Sequence, residues 1–224
     1  MQNNGIVNNK DVKHRTGTVQ VTWKDGLKMF YTNADQFVNK RDDLLMLIAD
    51  DRPDIILITE VIPKKQTNPI TQALLDIDDY KCSLNFEPDD ANLGASGIRG
   101  VAIYSKETLG AIDVDISTNG FHDHVWIEIP SENHDSVLIG CVYRSPSNDS
   151  DSNGCMRSTK EITQLINNAY KRNNNLMIAG DFNYKEVDWI YECVPPEKTT
   201  SHTFYRDIAR MFFISACNQT YSVS

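Results

Sequence analysis

The sequence contains no run of about eighteen apolar residues, so it offers no helix long enough to span a bilayer, and no membrane partner is expected. Residues 1–18, "MQNNGIVNNKDVKHRTGT", show neither the basic n-region nor the apolar h-region of a secretory signal, which argues against export. Cysteine is scarce and unpaired in pattern. The five residues (Cys82, Cys141, Cys155, Cys193 and Cys217) form no CxxC pair, are odd in number, and place Cys141 inside an apolar strand pattern. Reduced thiols in an intracellular compartment follow, with nucleus or cytoplasm undecided. The sequons at Asn148 and Asn218 then carry no meaning. Basic residues are also in the minority, 22 against 31 acidic, for a net charge of −9. That balance argues against gripping a polyanion over a broad surface and leaves room for a compact catalytic groove. No internal repeat is found.

What remains is globular composition, 40% hydrophobic and 24% charged over 224 residues, enough for one domain with a two-layer core. Residues 1–26 read as a polar, flexible leader in which only "TVQVTW" (18–23) alternates, and residues 27–224 as the domain. "LKMFYTN" sets Leu27, Met29 and Tyr31 on one side of a short strand. Leu44, Leu45, Leu47 and Ile48 then form a helical stripe that Pro53 ends. "DIILITE" (54–60) is a strand covered on both faces, from which Glu60 emerges. Further strands are expected at 79–86, 98–105, 124–129, 136–143 and 176–181. "RSPSNDSDSNGCM" (144–156) reads as a polar loop. A helix follows, opened by a capping box at Ser158 and Glu161, with Ile162, Leu165, Ile166, Ala169 and Tyr170 on its apolar face. The pattern predicts an α/β fold, a layered sandwich of two mixed β-sheets flanked by helices. A purely parallel doubly wound sheet is the alternative.

Three expected strand ends carry oxygen-bearing side chains: Asn33, Glu60, and Asp181 with Asn183. In α/β layers ligands gather at the carboxyl ends of strands, so such groups from separate strands converge on one hard cation. One or two carboxylates with waters suit Mg²⁺, and such a site is what phosphate-ester chemistry requires, although any one of these residues taken singly is more commonly solvated or caps a turn. An amide at position 183 suits the neutral task of donating to a phosphate oxygen while orienting a neighbour.

The ordered segments "KMFYTNADQFVNKRDDLLMLIADDRPDIILITEVIPK", "GIRGVAIYSK", "VWIEI", "GCVYRSPSND" and "LMIAGDFNYKEVDW" resemble the endonuclease/exonuclease/phosphatase superfamily over about residues 27–213. The nearest likeness is to the endonuclease domain of non-LTR retrotransposon polyproteins. That resemblance implies a DNA-nicking phosphodiesterase using Mg²⁺ or Mn²⁺, with DNA as substrate and a reverse transcriptase in a full-length polyprotein as partner. By the same resemblance Glu60 and Asn33 serve the metal, and Tyr143 contacts the scissile phosphate with Arg144 beside it. Asp181 aligns the attacking water, and Asn183 supports the transition state and binds substrate. The family's closing Leu-Asp-Leu strand and Ser-Asp-His motif have no counterpart before the final "FFISACNQTYSVS". The expectation is therefore a copy lacking its last strands, with catalysis weakened. Two alternatives are a catalytically dead remnant that binds metal or nucleic acid, and a phosphoesterase for a small phosphate ester or lipid.

His202 does not replace the missing His, since it falls in the first turn of a helix striped by Phe204, Ile208, Met211 and Phe212. His122 and His124 have a spacing seen in some zinc sites but lack further ligands. Arg99 and Lys106 flank a strand, where bordering a phosphate groove and plain surface placement fit equally well.

Overall fold

Alternation with a two-residue period runs through most strands, and it divides the core into layers. The computed structural model describes residues 19–22, 27–63, 69–90, 97–117, 120–130, 136–146, 152–173, 175–188, 194 and 199–209. In chain order the elements are β1 (Val19–Thr22), β2 (Lys28–Asn33), α1 (Phe37–Asp51), β3 (Ile55–Thr59), α2 (Gln72–Leu75), β4 (Tyr80–Leu84), β5 (Val101–Lys106), β6 (Ile112–Asp113), β7 (His124–Ile129), β8 (Val137–Tyr143), α3 (Ser152–Arg172), β9 (Leu176–Asp181) and α4 (Thr199–Ala209).

Among the described residues nine strands form two sheets, ordered β1-β2-β3-β5-β4 and β6-β7-β8-β9. β2 pairs with β3 and β8 with β9 in parallel, and every other pair is antiparallel, so both sheets are mixed and the purely parallel alternative is excluded. Each parallel pair needs a crossover, supplied by α1 and by α3. Ile55 and Leu57 of β3 meet Ile127, Ile139 and Cys141 of the other sheet, forming the layer between the sheets. Their neighbours Ile56 and Ile58 turn outward, into the cluster that holds Phe37 and Leu44 of α1. On the far side Trp126, Leu138 and Val142 face Ile162, Leu165 and Ile166 of α3 and Phe204 of α4. Each such buried aliphatic side chain stabilises the fold by about 1.5–3 kcal/mol. Gly140 is required here, because a Cβ at that position would collide with the Trp126 ring.

Three expectations are corrected. The alternating stretch inside the polar leader is β1, which pairs with β2 through Val19–Tyr31 to Thr22–Lys28. α3 begins at Ser152, so the polar loop is shorter than the composition suggested. Ser158 consequently lies well inside the helix and buried, where it serves Arg144 instead of a cap. α4 starts at Thr199 and leaves His202 exposed in its first turn, as expected, while Met211 and Phe212 lie outside the described residues. Among the described residues no helix is long and apolar enough to cross a membrane.

Candidate active site

The register of the two parallel pairs sets the site. Asn33 lies opposite Thr59 at the ends of β2 and β3, and Tyr143 lies opposite Asp181 at the ends of β8 and β9. Because the sheets stack, both pairs of strand ends reach the same edge, and side chains from different sheets meet there. Asn33 Nδ2 donates to Glu60 Oε1 at 3.0 Å and to Asp181 Oδ2 at 3.1 Å, so one amide bridges two carboxylates. Both acids are largely buried.

The turns that present these groups are strained. Asp35 (φ 40°), Gln36 (φ 102°), Glu60 (φ 56°) and Asn183 (φ 50°) all adopt left-handed backbone, unusual for residues with a Cβ. Backbone bonds sustain it, since Ala34, Gln36 and Phe37 donate N–H groups to the carbonyls of Thr59, Glu60 and Val61. Strain of this kind, held by surrounding structure, is characteristic of functional sites.

Burial raises the Asp181 carboxyl, nearby Glu60 adds to the rise, and hydrogen bonds from Asn183 and Asn33 oppose it. Tyr143 is pushed well above the usual phenol range, first by burial and then by the Glu60 charge, so it stays a neutral O–H donor. Tyr31 is raised likewise by burial and by Asp181, and its hydroxyl lies 3.1 Å from Thr59 Oγ1. Asn183 donates its backbone N–H to Asp181 Oδ1 at 3.1 Å.

Glu60, Asn33, Tyr143, Asp181 and Asn183 are thus brought together, but three assignments change in detail. Asn33 turns its nitrogen, not its oxygen, toward the carboxylates, because Oδ1 accepts the Asp35 N–H at 3.0 Å. Metal ligation through Oδ1 would need the amide to turn over and give up that bond. Asn183 Nδ2 commits one of its two hydrogens to the Arg144 carbonyl at 2.7 Å, so a phosphate would be served by the other alone. Arg144 is 0% exposed, which removes it from direct phosphate contact. Its guanidinium donates to the Asn183 carbonyl at 3.2 Å and to Ser158 Oγ at 3.2 Å, and lies 4.2 Å over the Tyr184 ring. It therefore acts as the support beneath Asn183.

Arg99 is the member that sequence reasoning left undecided. Its guanidinium pairs with Glu60 Oε2 and reaches Asp35 Oδ1 at 3.5 Å, whereas Lys106 pairs with Asp54 at the opposite end of β5. The antiparallel β3–β5 pairing accounts for the split, because it sets the start of β5 beside the end of β3. His124 accepts a hydrogen bond from Trp126 Nε1 at 3.1 Å and stacks on Phe121, which accounts for it as a packed residue. Among the described residues no three His, Cys, Asp or Glu side chains gather to hold a metal. Two carboxylates and an amide, with no soft ligand, still match a hard cation that keeps several waters.

Sequence comparison with curated proteins gives no significant match. Solved structures with a similar fold include a 3′ phosphatase from Neisseria bound to a product DNA hairpin, with 18% identity, a TM-score of 0.53, and coverage of 83% of this chain and 71% of that one. An AP endonuclease from Leishmania major aligns at 11% identity and a TM-score of 0.58, over 82% of this chain and 66% of that one. An AP endonuclease from Archaeoglobus fulgidus aligns at 14% identity and a TM-score of 0.52, over 84% and 72%. The profile of the Endonuclease/Exonuclease/phosphatase family matches residues 23–192, which contain every strand end that builds the cluster. With a two-sheet sandwich and paired carboxylates at its edge, this chain belongs to the endonuclease/exonuclease/phosphatase family.

Proposed function

We propose that this chain hydrolyses phosphodiester bonds in DNA, nicking one strand in the manner of retrotransposon endonucleases, with Mg²⁺ or Mn²⁺ held at Glu60. The observation that carries the reading is the pair of carboxylates, Glu60 from one sheet and Asp181 from the other, joined by the Asn33 amide. DNA as substrate is supported by the structures with a similar fold, one a phosphatase bound to a DNA hairpin and two AP endonucleases. By the resemblance of its motifs, a reverse transcriptase in the same polyprotein is the partner that brings it to a target.

The metal, when bound, neutralises phosphoryl oxygens and developing leaving-group charge. Asp181 takes the role of base. Its burial makes it a better proton acceptor than an ordinary carboxylate, and the Asn183 N–H on Oδ1 together with the Asn33 amide on Oδ2 fixes the orientation of the carboxylate. Tyr143, held neutral and hydrogen-bonded to Glu60, is the O–H donor that would turn to a phosphate oxygen. Asn33 keeps the two acids at a fixed separation.

The test is nicking of supercoiled plasmid by the full chain in Mg²⁺ or EDTA, beside Glu60→Gln and Asp181→Asn, with circular dichroism as the folding control. Nicking that needs the metal and falls by about a hundredfold to ten-thousandfold in each variant is expected. Activity that survives both substitutions sinks the assignment. Phosphate release from a soluble ester with the plasmid left intact would instead identify a small-ester hydrolase.

A further inference from the structure

The ion pair between Arg99 and Glu60 occupies the very carboxylate proposed to hold the metal. The guanidinium is held in place from several directions. Arg99 Nε donates to the Ile62 carbonyl at 3.1 Å, and the Arg99 carbonyl accepts from Ile62 N–H at 2.7 Å. Gly100, next in sequence, donates its N–H to Asp123 Oδ1 at 3.3 Å, which anchors the turn to the other sheet. Arg99 is thus anchored through its backbone and its Nε while its Nη2 lies near both acids, with side-chain exposures of 9% for Arg99 and 11% for Glu60. A second acceptor, Asp35, stands 3.5 Å away and is 75% exposed.

Resting on the metal reading, we propose that Arg99 is a built-in competitor of the divalent cation for Glu60, and that Asp35 is the carboxylate to which Arg99 is handed when the cation binds. A dication at Glu60 would face the nearby guanidinium in a partly desolvated setting, where like charges repel strongly. Turning the guanidinium toward Asp35 relieves that repulsion with little movement, since Nη2 already lies within reach of both acids. In the metal-free protein the same contact keeps Glu60 from being an uncompensated buried charge. Arg99 therefore sets the affinity of the metal site and Asp35 tunes it.

The experiment is Mn²⁺ titration of the full chain followed by electron paramagnetic resonance of free Mn²⁺ at low ionic strength, with thermal unfolding as the folding control. Arg99→Gln is expected to bind at least about tenfold more tightly than wild type. Arg99→Lys, which keeps the charge, stays within about threefold of wild type. Asp35→Asn, an exposed substitution that leaves the fold intact, weakens binding by about threefold in the wild-type background and by clearly less once Arg99 is Gln. Unchanged or weaker binding in Arg99→Gln overturns the proposal. So does an Asp35→Asn effect of equal size in both backgrounds, which would mark Asp35 as a general negative charge. Glu60→Gln separates the two readings. If it abolishes binding and Arg99→Gln does not tighten it, competition alone is wrong, and if no variant binds Mn²⁺ through Glu60, both readings fall together.

Discussion

Replacing Asn33 with Ala removes the amide that donates to both Glu60 and Asp181. Two charge-assisted hydrogen bonds, at 3.0 and 3.1 Å, are lost. Bonds to charged groups contribute about 1.5–3 kcal/mol each, and the half-buried position of Asn33 lets water recover part of that, so a net loss of about 2–3 kcal/mol is expected at neutral pH. The loss is also pH-dependent, with a sign set by Asp181. Its folded pKa is already raised, so its stabilising contribution is present below the unfolded carboxyl value and disappears as pH rises through the folded one. Asn33 is among the groups that hold that value down, and its removal raises the folded pKa further. The stability gap between variant and wild type must therefore open as pH rises from the acid range and close again on acidification. Urea unfolding at a series of pH values between about 4 and 7 measures it, around the reference carboxyl value of about 3.9. A gap below about 0.5 kcal/mol at neutral pH, or one that does not narrow in acid, would refute the bridging role.

Arg144→Met removes the buried guanidinium that donates to the Asn183 carbonyl and to Ser158 and stacks on Tyr184, and destabilisation by about 3 kcal/mol is expected in thermal unfolding; an unshifted melting temperature would contradict the support role. Gly180→Ala drives a Cβ into the Val142 carbonyl oxygen, so the β8–β9 pairing must open, and hydrogen exchange at Cys141–Tyr143 should accelerate while β2 and β3 stay protected. Burial holds the Cys82 thiol up at about 12 and raises the wholly buried Cys141 above the usual range. Thiolates form only above those values, so at pH 8 both sites resist iodoacetamide in the native protein and react once it is unfolded, as peptide mass mapping will show.

β3 was legible in the sequence because its residues are buried on both faces, and a four-residue apolar run closed by Thr59 and set between charges is too short for a helix and too continuous for a half-exposed strand. The strand ends were legible for a similar reason, since Asn33, Glu60 and Asp181 interrupt apolar strands with oxygen donors. Side-chain direction was not. Which way the Asn33 amide faces depends on the left-handed backbone of Asp35, a property of one turn that no spacing rule encodes. Arg144 sits beside Tyr143 in the chain and resembles a substrate contact, but its burial comes from Ser158 and Tyr184, distant in sequence and brought in by α3 and by the turn after β9. Arg99 was ambiguous because "GIRG" carries no pattern, and only the antiparallel pairing of β3 with β5 reveals which end of the strand matters. The start of α3 was missed because "SNGCM" includes Asn153 and Gly154, poor helix formers that tertiary context overrides.

The carboxylate cluster is divided between two parallel strand-helix-strand units, β2-α1-β3 supplying Asn33 and Glu60, and β8-α3-β9 supplying Tyr143 and Asp181. During synthesis the first unit leaves the ribosome more than a hundred residues before Asp181 does, and for that interval the emerging chain holds only one of the two acids. Completion of the cluster waits for the second sheet to dock on the first through Ile127, Ile139 and Cys141. The two acids therefore meet only when the two sheets have packed together, so assembly of the core and assembly of the cluster are one event.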